Sequence, residues 1–125
     1  MLDTCAFLWL IRGDASLSPA ARRIISEAEN EIYLSSVSAW EIGVKYNLGK
    51  LQLPVEPSIF VPRETTRHRI QPLDLSHSAA LAASNLPLHH KDPFDRLLVG
   101  QALVEGLIIL SPDPLVQKYA APICW

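Results

Sequence analysis

This chain lacks an excess of positive charge: eleven Lys and Arg stand against thirteen Asp and Glu, a formal charge of −2. Affinity for an anionic polymer therefore cannot come from a broad basic surface. Cysteine is scarce, with only Cys5 and Cys124 near opposite ends and no metal-ligand spacing between them. Buried free thiols are expected rather than a disulfide, which argues against redox chemistry. No apolar stretch is long enough to span a bilayer. The run Ala6 to Ile11 has no basic leader before it and no small-residue cleavage site after Arg12-Gly13-Asp14, so the expected location is cytoplasmic, with no membrane partner. Internal repeats and low-complexity tracts are also missing. What remains is a chain of 125 residues, 49% of them apolar, enough for one domain over 1–125 with a proper core.

The pattern of elements predicts an α/β fold. Met1-Leu2 reads as a short strand ending at Asp3, followed by a helix through the apolar run to Ile11. Ser18-Pro19 caps a helix through about Glu29. Ile32-Tyr33-Leu34 reads as a strand, Ser35 and Ser36 offer N-caps, and Val37 to Leu48 has helical periodicity before Gly49. Ile70 to Leu73 is a short strand, and Ser76 caps a helix through Ala83. Asp92-Pro93 opens a helix running to Gly106. The uninterrupted run Leu107 to Leu110 suits a strand covered on both faces, and Pro122 to Trp125 an edge strand. Pro54 to Arg69 has helical apolar spacing, although Pro57 and Pro62 restrict where a helix can run. Strands alternating with helices imply a three-layer α/β/α sandwich with a short, mainly parallel sheet.

Against this layout four acids stand out. Asp3 and Asp113 fall at carboxyl ends of strands, Glu41 about one turn into the helix after a strand, and Asp95 in the first turn of its helix. In an open α/β sheet those positions share one rim, where carboxylates distant in sequence can meet and hold a divalent cation. Each acid also has a plain structural explanation. Asp92 before Pro93 is ordinary capping. Asp95 suits the helix dipole, Asp3 and Asp113 suit turns, and Glu41 could form a salt bridge. Glu41 resists dismissal most, because it shares a face with Val37, Val44 and Leu48 and an unpaired carboxylate there is costly.

Four segments in this order, Met1-Leu2-Asp3-Thr4, Ser38-Ala39-Trp40-Glu41-Ile42, Asp92-Pro93-Phe94-Asp95-Arg96-Leu97-Leu98 and Ser111-Pro112-Asp113, together resemble a PIN domain, specifically a VapC-type toxin of a toxin-antitoxin pair. The resemblance covers essentially the whole chain. It implies a magnesium- or manganese-dependent ribonuclease with a parallel sheet flanked by helices, a homodimer, and a small antitoxin as partner. Its acidic residues carry over onto Asp3, Glu41, Asp95 and Asp113.

A phosphodiester is anionic and resists attack, and a carboxylate-held Mg2+ or Mn2+ offsets its charge and supplies a nucleophile. Asp3 and Asp95 are assigned as direct ligands, Glu41 as a ligand or orienter of water, and Asp113 as an outer ligand, directly or through water. Thr4 and Ser38 are candidates for supporting hydrogen bonds. Lys45, Lys50, Lys91 and Arg96 are candidate RNA contacts, with solvated surface charge as the default for each. His89 and His90 read as loop residues. Phe7, Trp9 and the helical run around them suggest a subunit or antitoxin surface as an alternative to burial. Two rivals stand beside the nuclease. A dehalogenase-like phosphatase would want an Asp where Cys5 stands, and an inactive partner-binding module would use the acids only to receive an antitoxin's arginine.

Overall fold

The computed structural model describes residues 1–125. Its sheet is parallel throughout, and Leu2 is its centre. Leu2 bridges Leu34 on one side and Leu110 on the other. On the first side lies β1 (Tyr33–Ser35), paired with β2 (Gln71–Leu73); on the second lies β3 (Ile109–Leu110), paired with β4 (Ile123–Cys124). The predicted first strand thus reduces to a single bridging residue, held by Leu2 N to Tyr33 O at 2.9 Å and Leu110 N to Met1 O at 2.9 Å.

Neighbouring residues along these short strands face opposite ways. Leu2, Leu34 and Leu110 enter one apolar cluster with Phe7, Ile42 and Phe60. Met1 and Ile109 enter a second, with Leu98, Val99 and Val116. The sheet is therefore covered on both faces, which makes the α/β sandwich. Each fully buried Leu, Ile or Phe contributes about 2 kcal/mol through apolar area removed from water.

The helices are α1 (Thr4–Arg12), α2 (Pro19–Ser26), α3 (Ser36–Asn47), α4 (Pro57–Arg67), α5 (His77–Ser84) and α6 (Pro93–Glu105). Caps account for most of their starts. Asp3, Ser18, Ser35, Ser76 and Asp92 each accept a hydrogen bond from an N–H of the first turn. Gly106, at φ +67°, ends α6 in the left-handed conformation and turns the chain into β3.

Three expectations need correction. The second helix stops at Ser26 rather than near Glu29, because Glu27 is already extended. Pro62 sits inside α4 and does not break it, with Pro57 at the first helical turn and Phe60 and Glu64 buried beneath. Phe7 is fully buried edge-on to Phe60, and Trp9 packs against Trp125 with ring centroids 5.6 Å apart, so α1 spends much of its apolar face within the monomer. No helix is long and apolar enough to cross a membrane.

Candidate active site

The topology decides where a pocket can open. From central Leu2 the chain leaves through α1 and α2 to β1 on one side, whereas β3 on the other side is entered from α6. The connections diverge at Leu2, and beyond the carboxyl ends of the central strands this leaves a crevice. A pocket of about 280 Å³ lies there, lined by Asp3, Thr4, Cys5, Glu41, Lys45, His90, Asp92, Asp95, Pro112 and Asp113. All four acids singled out in the sequence are in it.

Asp3 is buried and caps α1, accepting from Ala6 N at 2.6 Å. Burial pushes its carboxyl up to about 6. The Ala6 N–H and the Ser111 hydroxyl pull the other way, and the charges of Glu41 and Asp113 add to the rise. Asp95, in the first turn of α6, is pushed up to about 7 by burial and then by Asp92, with Glu41 and Asp3 adding repulsion and His90 opposing it. Asp113 moves down: the hydrogen bonds from His90 and from the backbone of Leu115 outweigh its modest burial. Glu41 is also buried, and both its oxygens have donors, the Thr4 hydroxyl on Oε2 and the Lys45 ammonium on Oε1.

The supporting residues divide. Thr4 meets the expectation of a hydrogen bond to the acids. Ser38 does not: its Oγ is buried without any hydrogen-bond partner. Lys45 lines the pocket, its ammonium paired with Glu41 while much of its side chain stays in solvent. Lys91 is exposed beside the pocket, while Lys50 is exposed at the far end of α3. Arg96 is committed elsewhere. Its guanidinium donates to the carbonyls of Ala83, Leu86 and Pro87 and to the Tyr119 hydroxyl at 2.8 to 3.2 Å, closing the carboxyl end of α5, so it is a structural clamp rather than a phosphate contact. Cys5 corrects another expectation, since it is exposed on α1. Desolvation of its thiol and the charge of Asp3 push it up to about 11, so it supplies no thiolate at neutral pH.

His90 lies in a loop as expected, but its contact with the acids was not foreseen. Its Nε2 lies 3.0 Å from Asp113 Oδ2 and 3.2 Å from Asp95 Oδ2, and its Nδ1 accepts from Asp92 N at 3.0 Å. The available signal was its place two residues before a helix N-cap, within reach of the first-turn acid. His89 also fits a loop reading, exposed and edge-on to Tyr119.

The sequence profile of the PIN domain matches residues 1–122. The chain belongs to the PIN domain family. This PIN domain is similar to Ribonuclease VapC16 of Mycobacterium tuberculosis (strain ATCC 25618 / H37Rv), at 41% identity over 68 residues, 53% of this chain and 48% of that protein. The chain thus matches about half the length of that relative. Among solved structures it is similar to VapBC2 from Rickettsia felis, determined bound to a DNA fragment from the promoter, with a TM-score of 0.73 covering 99% of this chain and 96% of that one. At 14% identity that likeness is one of fold.

Proposed function

We propose that this PIN domain is a VapC-type endoribonuclease, the toxin of a toxin-antitoxin pair, hydrolysing RNA phosphodiesters with Mg2+ or Mn2+. The observation that carries the reading is the meeting of Asp3, Glu41, Asp95 and Asp113 in one pocket at the sheet's carboxyl rim. The donor set fits a hard divalent cation, because it is made of carboxylate oxygens. The raised carboxyls of Asp3 and Asp95 fit as well, since burial first and the neighbouring acids second disfavour their charged forms, a cost that a bound cation would offset.

In this reading Asp3 and Asp95 hold the cation, Asp113 is the outer ligand, and Glu41, fixed by Thr4 and Lys45, orients water. When bound, the cation neutralises charge on the phosphate's nonbridging oxygens and lowers the pKa of water in the pocket. Lys45 and Lys91 are the remaining candidates for RNA phosphates. The partners in this reading are an RNA substrate, a small antitoxin and a second copy of the chain. Trp40, Leu48, Leu81 and Leu88, all exposed, are surface that such partners would cover.

The test is cleavage of structured RNA by purified protein with Mg2+ or Mn2+, arrested by chelator and absent in Asp3→Asn. Failure of the wild type to bind either cation in calorimetry overturns the reading. Binding without cleavage favours a partner-binding module. Light scattering that gives only monomer mass at micromolar concentration overturns the dimer.

A further inference from the structure

We propose that His90 is a positioning residue of the acidic pocket: its Nε2–H bridges Asp95 and Asp113 and sets these carboxylates for a divalent cation, without itself becoming a ligand. The proposal rests on the metal-dependent reading above.

At first sight the geometry suggests a ligand. His90, Asp95 and Asp113 each present an atom, and these atoms lie within 4.8 Å of one another. The other side of the ring decides otherwise. The backbone N–H of Asp92 is aimed at Nδ1, 3.0 Å away, and an N–H needs a lone pair to donate to. Nδ1 therefore carries no proton, and the ring's proton is on Nε2. A protonated nitrogen donates to carboxylates and has no lone pair for a metal. To make Nε2 a ligand, the proton would have to move to Nδ1 and face the Asp92 N–H, while Asp92 is itself held as the cap of α6 through Phe94 N at 2.8 Å.

The ring is also fixed from behind. The His90 backbone N–H donates to the Tyr119 hydroxyl at 2.9 Å, and Arg96 Nη1 donates to the same oxygen at 3.2 Å. His90 is thus tied to the Arg96 clamp, and its side chain is only 12% exposed.

The bridge solves a specific problem. Asp95 starts a helix and Asp113 follows β3, so nothing in the backbone makes their carboxylates share a space, and their charges repel. One shared N–H holds both Oδ2 atoms together without cancelling the negative charge a cation needs, unlike a lysine in the same place. The oxygens left over differ. Asp113 Oδ1 accepts from Leu115 N at 2.7 Å, whereas Asp95 Oδ1 accepts no hydrogen bond from the protein and is free for a cation.

The test compares wild type, His90→Ala and His90→Gln by Mn2+ calorimetry, with imidazole 15N NMR of the metal-free and Mg2+-loaded wild type. His90→Ala should bind Mn2+ about tenfold more weakly, the scale set by residues that orient metal ligands. His90→Gln, whose amide also offers an N–H, should recover most of that loss. The His90 resonances should show a protonated Nε2 and unprotonated Nδ1 in both states. Unchanged Mn2+ affinity in His90→Ala overturns the role, as does a protonated Nδ1, or a directly coordinated imidazole nitrogen in pulsed EPR of the Mn2+-loaded wild type. Should His90→Ala not fold, a His90→Gln that binds ten times more weakly than wild type overturns it as well. A wild type that binds neither cation overturns the nuclease reading and this role together; wild-type binding with no loss in His90→Ala overturns the role alone.

Discussion

Lys45 stands one helical turn beyond Glu41 on α3, and its ammonium donates to Glu41 Oε1 at the edge of the acidic pocket. The pocket therefore carries its own partial countercharge. Glu41 raises the Lys45 pKa in spite of the desolvation that opposes it, so the ammonium stays charged across the physiological range. Lys45→Ala should lower metal-free stability by only about 0.5 kcal/mol, because the lysine is largely solvated. It should also tighten Mn2+ binding several-fold by removing a competing cation. Calorimetry that shows weaker binding would place Lys45 in support of the metal rather than against it.

Asp95 makes metal-free stability depend on pH. Its carboxyl is pushed up to about 7 in the fold from the 3.8 of an unperturbed Asp. Between those values the folded state binds the proton more tightly than the unfolded state. Raising the pH through this window therefore removes stability. Asp113, with its carboxyl lowered, loses its contribution only as the pH falls below this window. Asp95→Asn should accordingly match the wild type near pH 4 and exceed it by on the order of 2 kcal/mol at pH 8, after discounting for partial exposure. Thermal melts of both proteins without metal at pH 4 to 8 measure the difference. A gap that shrinks with rising pH contradicts it.

The capping acid and the pocket acid three residues later should respond differently to loss of charge. Asp92→Asn keeps an oxygen for Phe94 N and should retain most RNA cleavage with little change in stability. Asp95→Asn should abolish cleavage while the fold persists, and Asp3→Asn and Glu41→Gln should behave likewise. An Asp95→Asn protein that loses several degrees of melting temperature yet keeps its rate would make Asp95 structural.

Gly100 is required by helix packing rather than by backbone conformation. A Cβ there would lie 2.7 Å from the Ala83 nitrogen and 2.8 Å from the Ala79 carbonyl oxygen, both backbone atoms of α5. Neither can swing aside, so Gly100→Ala should push α5 from α6 and cost about 1 to 3 kcal/mol. Chemical denaturation gives the value. A neutral result would mean that α5 shifts freely.

Arg96→Ala should behave as the loss of a clamp. Leu86 O would lose its hydrogen bond, while Ala83 O, Pro87 O and the Tyr119 hydroxyl would each keep another donor, at a cost of about 2 kcal/mol. The salt dependence of RNA binding should stay unchanged, since no phosphate contact is removed. A shallower salt slope would return Arg96 to the RNA surface.

Much of this was legible because it is local. Ser18, Ser35, Ser76 and Asp92 cap helices through atoms two or three residues away, and of the apolar run Leu107 to Leu110 the last two residues form the strand covered on both faces, while Ile108 is exposed. The rim positions of Asp3, Glu41, Asp95 and Asp113 followed from counting residues past predicted strand ends and helix starts. The misjudged boundary of α2 and the intact helix through Pro62 are cases where packing overrode local propensity.

By itself the sequence determined the element order, the caps and which acids could share a rim, since periodicity and capping act within a few residues. Only the tertiary structure decided how those acids are held. Arg96 closed α5 instead of reaching outward, and His90 came between Asp95 and Asp113, 23 residues from the second of them. Such choices depend on which carbonyls and carboxylates lie within about 3 Å once the layers have packed, and no local pattern in the chain encodes that distance.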